Sequence, residues 1–328
     1  MAAIKILVCG ATGFIGRNIA ESLANDNHYE VIGTCWSRDG FNHPRIRFVR
    51  VDLTDPRQVN KIIKDVDVVV QAAATTSGAG DIINKPYIHV TDNAVMNSHI
   101  LRAAFEHKTK HLIFFSCTIM YPSSEAPLLE SDFNENTEIN PRYYGAAWTK
   151  VYIEKMCEFF SRISESKFTV LRHSNIYGPH DKFDLERSHV FGATVTKVMT
   201  ASGGNMMVWG NGEEERDLLY IDDLVTAVQA ALNRQLAPFG LYNIGSGKAV
   251  SVKTLVEKII RASGRTLTIE YDLSMPTIKT GLCVDCGKAA TELGWRPTVT
   301  LDEGIARTVE WYRRHVSSTQ SMKKTNTA

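Results

Sequence analysis

The chain has 328 residues, 37 basic and 36 acidic, for a formal net charge of +1, and 44% are hydrophobic. That balance excludes a protein that coats nucleic acid through a basic face, and six cysteines are too few for a disulfide-stapled scaffold. No apolar run reaches the roughly 18 residues a membrane span needs, and no secretory signal pattern is read, so a soluble cytoplasmic protein with a sizeable core is expected.

In chain order, apolar runs predict strands at residues 4–9, 30–35, 46–51, 66–72, 111–115 and 168–171. Helices are predicted between them at 14–23, 59–64, 93–107 and 147–161. Continuous apolar strands alternating with helices imply an α/β fold of Rossmann type, a doubly wound parallel sheet covered on both faces. After residue 171 the rhythm changes. A loop at 172–182 precedes a helix at 190–200, a short strand at 206–209 and a loop at 210–216 rich in Gly and charge. Helices follow at 221–232, with Asp222 or Asp223 as an acidic cap, and at 252–263, 288–293 and 301–316. This region reads as a smaller mixed α/β lobe. The expected division is a first domain over 1–172, rejoined by 217–243. The second lobe covers 173–216 and 244–316, and 317–328 forms a disordered tail rich in Ser, Thr and Lys.

Gly10-Ala-Thr12-Gly13-Phe14-Ile15-Gly16 follows the first strand and opens a helix, the context in which a glycine-rich turn holds a pyrophosphate. Gly10 permits the tight turn, Gly13 lets the backbone approach the phosphates, and Gly16 lets the helix pack closely. At the end of the second strand, Ser37 and Arg38 suit a ribose 2′-phosphate and favour NADP(H), while Asp39 on the ribose would favour NAD. Asp52 and Leu53 would lie beside the adenine, and Ala72, Ala73 and Ala74 are small enough for backbone contact with the dinucleotide.

These motifs, with Asn93, a Tyr-rich helix start leading to Lys150, Asn175-Ile-Tyr-Gly-Pro179 and Arg216, resemble the extended short-chain dehydrogenase/reductases. These are the NAD-dependent epimerases, dehydratases and reductases of nucleotide sugars, and the similarity runs to about residue 312. It is strongest to the GDP-L-fucose synthase branch, through residues 175–184, Ser188-His189-Val190, Val208-Trp209-Gly-Asn-Gly212 and Leu293-Gly-Trp295. The resemblance implies a Ser/Thr–Tyr–Lys mechanism on a nucleotide-activated sugar, GDP-linked by preference. Lys150, Asn93 and His173 would contact the cofactor. Asn175, His189, Lys197, Trp209, Arg216 and Lys279 would hold the substrate. A homodimer through the 93–107 and 147–161 helices is implied as well.

Three positions depart from the family pattern. The acid/base Tyr stands four residues before the Lys, but here that position is Ala146, with Tyr143 and Tyr144 the nearest phenols. Seven residues make about two helical turns, so Tyr143 shares the face of Lys150 a turn further away. Either phenol folds inward, or the proton moves on another group. The Ser/Thr position is Cys117, with Thr118 next and Ser116 before it. A thiol is a weaker hydrogen-bond donor than a hydroxyl, and a nucleophilic Cys117 shows no base nearby in sequence. Ile119, at the position of an epimerisation or dehydration acid, cannot move a proton. His189 serves either as that chemistry's other residue or as a substrate holder. Cys283-Val-Asp-Cys286 lacks the further ligands of a zinc site, so no metal is expected. A reductase acting at C4 of a GDP-deoxyhexose fits these departures best. A 4-epimerase with tightly bound NAD and a non-catalytic dinucleotide-binding protein stay open.

Overall fold

Strand β1 (Ile4–Cys9) alternates its apolar residues between two cores. Ile6 and Val8 join Ile19 and Leu23 of α1 (Phe14–Ala24) and Leu224 and Val228 of α6 (Ile221–Arg234). Leu7 and Cys9 face Val59 and Ile63 of α2 (Pro56–Ile63), Ile100 of α3 (Ile88–Glu106) and Ile153 of α4 (Tyr144–Ile163). A strand buried on both sides has no polar face, which is why the sequence shows an unbroken apolar run. The computed structural model describes residues 3–75, 87–185, 188–275 and 281–317. Lys279 and positions 318–328 of the expected tail lie outside them.

The main sheet adds β2 (Tyr29–Cys35), β3 (Ile46–Arg50), β4 (Val68–Gln71), β5 (His111–Cys117), β6 (Lys167–His173) and β10 (Phe239–Ile244). All pairings are parallel, in the order β3-β2-β1-β4-β5-β6-β10. The order reverses direction between β1 and β4, which opens a crevice at the carboxyl ends of those strands.

The second lobe contains two small sheets. β7 (Asn175–Tyr177) pairs in parallel with β9 (Glu215–Tyr220), which pairs antiparallel with β11 (Ala249–Ser251). β8 (Asn205–Trp209) pairs in parallel with β12 (Thr268–Asp272). Around them lie α5 (Val190–Thr200), α7 (Val252–Ser263), α8 (Gly287–Glu292) and α9 (Leu301–Tyr312), the last running into a wider turn over Arg313–Ser317.

Several expectations need correction. Strands β7 and β9 fall inside the expected 172–182 loop and across the end of the 210–216 loop, because each forms by pairing across the lobe, β7 with β9 and β9 with both β7 and β11. Helix α2 begins at Pro56, since the Asp55 carboxylate accepts the Arg57 amide at 2.8 Å and caps it. Asp223 does not cap α6. Its buried carboxylate accepts the Thr298 amide at 2.9 Å, the Thr298 hydroxyl at 2.8 Å and the Val299 amide at 3.0 Å, tying that loop to α6.

Helix α1 sits directly on the glycine turn: a Cβ on Gly16 would lie 2.2 Å from the Gly10 carbonyl oxygen. Gly16→Ala should therefore force the helix off the turn and destabilise the protein by about 1–3 kcal/mol, measured by denaturant melts. An unchanged midpoint would show that the turn yields at no cost.

Candidate active site

The crevice begins at the first turn. Gly10 adopts φ +74°, and a Cβ there would stand 2.7 Å from the Ala73 Cα, so the ends of β1 and β4 meet through bare backbone. Thr34 accepts the Gly10 amide at 2.9 Å and holds the turn. No side chain caps α1 at Gly13, which leaves the amides around Phe14 and Ile15 as an anion site at a helix start. A cleft of about 310 Å³ opens beside it, lined among others by Thr12, Gly13, Arg17, Arg38, Asp181 and Trp311. Two guanidinium-bearing residues, an uncapped helix start and a backbone cradle that a Cβ would fill suit a dinucleotide carrying extra phosphate.

Asp39 forms an ion pair with Arg50, which also donates to the Trp36 carbonyl. Arg38 lines the cleft and Asp39 does not appear there. Ser37 is exposed next to it. Asp52 accepts the Thr54 amide at 2.8 Å and hydroxyl at 2.7 Å, and Leu53 is buried behind it. After β4, Gln71 brackets Ala73, accepting its amide and donating to its carbonyl at 3.2 Å each. Ala72 is half-buried and Ala74 exposed. Asn93 spends its side chain on Thr75, accepting the amide and donating to the carbonyl at 3.0 Å, and donates again to His89. It shapes the alanine turn from behind.

At the ends of β5 and β6, Cys117 and His173 are register partners. An imidazole therefore stands on the strand next to that of Cys117, where sequence distance hid it. Burial nevertheless pushes the thiol up, with Lys150 pulling the other way, so it stays protonated at neutral pH. Nδ1 of His173 lies 2.8 Å from the Ser174 carbonyl, so that nitrogen carries the proton and Nε2 keeps its lone pair. Burial lowers this imidazole to about 4, helped by Lys150 and His189. Nζ of Lys150 donates to the Phe115 carbonyl at 2.7 Å and lies 4.7 Å from the Phe114 ring centre. Burial lowers its pKa, and Cys117 and Glu154 oppose that.

The two phenols separate clearly. Tyr144 is 62% exposed and turns its edge to Trp148. Tyr143, at the N-cap of α4, is half-buried. Burial raises its pKa, Arg216 lowers it and Cys117 raises it, which places the phenol among those two groups. Thr118 is buried, and the Ser116 hydroxyl is committed to the Glu154 carboxylate at 2.5 Å.

On the opposite wall, His189 is the N-cap of α5, and burial lowers its pKa. Asn175 donates to the Asp217 carbonyl at 3.2 Å, and Arg216 to the Glu215 carbonyl at 2.7 Å. Lys197 donates to the Met207 carbonyl at 3.2 Å and lies 5.0 Å from the Trp209 ring centre, so an ammonium and a half-exposed indole form one platform. Lys279 lies outside the described residues. Sequence reading missed Arg17, though it directly follows the last glycine of the turn. It also missed Asp181, whose carboxyl burial pushes up to about 7.

The model of the NAD dependent epimerase/dehydratase family matches residues 6–245. A GDP-L-fucose synthase of Azorhizobium caulinodans is 29% identical, aligned over 94% of this chain and 96% of its own. A putative UDP-glucose 4-epimerase of Methanocaldococcus jannaschii is 30% identical over 94% and 99%. The crystal structure of a Thermotoga maritima UDP-glucose 4-epimerase with UDP-glucose superposes with a TM-score of 0.83 at 26% identity, covering 95% of this chain and 99% of that one.

His111, bonded to Thr169 at 2.7 Å, is lowered by burial to about 4, as His173 is. An unfolded histidine binds its proton near 6.5, so between these values the unfolded chain holds more protons. The stability they contribute is complete above pH 6.5 and is lost as pH falls toward 4. Calorimetric midpoints should drop across that window, and His111→Gln should shallow the slope.

Proposed function

Because this chain belongs to the NAD dependent epimerase/dehydratase family, we propose that it is an NADP(H)-dependent oxidoreductase acting at C4 of a GDP-linked deoxyhexose. The observation that carries the cofactor choice is the placement of Arg38 on the cleft wall while Asp39 is held by Arg50. Full-length similarity to a GDP-L-fucose synthase supports the substrate class. When bound, the nicotinamide would supply or accept the hydride.

The chain's own residues divide the remaining work. Tyr143 holds the proton for the C4 oxygen, since it is the phenol beside Cys117 and Tyr144 faces solvent. Burial raises this phenol above its usual value, which suits it to hold and donate a proton, and Arg216 and Arg142 work against that rise. Lys150, fixed on the Phe115 carbonyl, presents its ammonium to the nicotinamide ribose. Cys117 and Thr118 border the sugar oxygen. Asn175, His189, Arg216 and the Lys197–Trp209 platform hold the sugar nucleotide. Ile119 supplies no acid, which favours reduction over dehydration or epimerisation at C3 and C5.

The first domain is read as 1–172 with 217–243, and the second lobe as 173–216 and 244–316. Val95 on α3 and Tyr152, Phe159 and Ile163 on α4 are exposed apolar residues on the two helices expected to pair in a homodimer.

A second reading, a UDP-sugar 4-epimerase retaining NAD, is favoured by the Thermotoga maritima superposition. Denaturing the purified protein and assaying released dinucleotide, then titrating GDP- and UDP-sugars with cofactor present, separates the two readings.

Tyr143→Phe should lose about 10²- to 10⁴-fold in kcat while Tyr144→Phe stays close to the parent. Equal effects would remove the phenol from the mechanism. Arg38→Ala should weaken NADPH binding by about tenfold or more and leave NADH nearly unchanged, read by fluorescence titration. A matched loss for both nucleotides would point to NAD.

A further inference from the structure

Beneath the candidate site lies an ion pair that the reaction as described does not use. The Arg172 guanidinium donates to Glu154 through Nε, at 3.0 Å and 3.2 Å, and through Nη2 at 2.6 Å. The two side chains are only 4% and 5% exposed. Ser116 donates to Glu154 at 2.5 Å. Arg172 reaches the Tyr121 hydroxyl at 2.9 Å and the Glu130 carbonyl at 3.1 Å. Tyr121 donates to Asn243 on β10 at 2.8 Å.

A buried pair is weak evidence for stability, because apolar residues of similar volume often serve as well. Its position in the chain is more informative. Ser116 and Arg172 each immediately precede the register partners Cys117 and His173. Glu154 lies one helical turn beyond Lys150 on the same face of α4. The Lys150 ammonium rests on the Phe115 carbonyl, next to Ser116. One cluster therefore fixes the last residues of two strands and the helix that carries the site's cation.

We infer that Glu154 and Arg172 are positioning residues: clamped by Ser116, their pair sets Lys150, Cys117 and His173 at one height on the carboxyl edge of the sheet and keeps a negative charge below the Lys150 ammonium. This deepens the proposed function and rests on its placement of Lys150. The charged and titratable groups facing Lys150 are Glu154 on its own helix, Cys117 on β5 and His173 on β6. Burial works against the ammonium, and Glu154 and Cys117 oppose that. Removing the Glu154 charge should let Lys150 lose its proton at lower pH.

The test uses the full-length protein in two measurements. In cofactor-free protein, the Lys150 amine is titrated by nitrogen NMR, its signal assigned by loss in Lys150→Arg. With cofactor and sugar nucleotide, kcat and KM are measured against pH. Glu154→Gln should move both the Lys150 titration and the basic limb of the rate profile to lower pH. Glu154→Asp should restore part of that shift. The double variant Glu154→Met with Arg172→Met should melt cooperatively yet lose about 10- to 100-fold in kcat, with KM nearly unchanged, as expected when reacting groups are displaced. If that variant fails to fold, Ser116→Ala, which removes a single clamp, must shift the Lys150 titration. A double variant with parental kcat and pH profile overturns the inference, and so does an unmoved Lys150 signal in Glu154→Gln or Ser116→Ala. A shifted signal in a protein that turns over no sugar nucleotide sinks the proposed reaction and leaves the positioning role standing.

Discussion

Parallel pairing puts the carboxyl ends of seven strands on one edge of the sheet, and the crevice opens where β1 and β4 part on that edge. The geometry follows from hydrogen bonding alone, before any side chain is chosen. Gly10 follows β1, Ala72 follows β4, and Cys117 and His173 end β5 and β6. Residues more than a hundred positions apart in the chain thereby become neighbours. The second lobe then needs only to face this edge for a ligand to lie between them. In that lobe Asn175 begins β7, His189 precedes α5 and Lys197 lies in its last turn.

The strands of the first half were legible because burial on both faces leaves no room for polar residues, and the glycine turn because its three small residues answer close backbone approaches. What was illegible shares a cause. β9 opens with Glu215-Arg216-Asp217, a polar start that becomes a strand only through β7 and β11. Asp223 sits where a cap would sit and instead serves a loop 75 positions away. Spacing put Tyr143 on the face of Lys150 but left open which phenol folds inward, and the geometry of the helix start leaves Tyr143 half-buried and Tyr144 exposed. His173 as a neighbour of Cys117 follows from strand register, which no local pattern encodes.

All six cysteines are free, and buried carboxylates take up the task of cross-linking. Asp217, fully buried, accepts the Ser246 amide and hydroxyl at 2.7 Å and the Gly247 and Val284 amides at 3.2 Å. Asp223 binds the loop before α9 in the same manner. Such charges are costly to desolvate and hold only when every acceptor site is filled. They secure the crossing points where the chain leaves the main sheet and returns to it, so the two walls of the crevice keep their spacing without a covalent tie.

The cleft beside the glycine turn has Thr12 on one side and Trp311 and Val316 on the other. Trp311 stacks with Phe183 and His315 and so is anchored to the loop that carries Asp181. Thr12 and Trp311, far apart in the chain, thus line one cleft. Removing the helix that carries Trp311 would therefore take one flank from the cleft without touching the glycine turn itself.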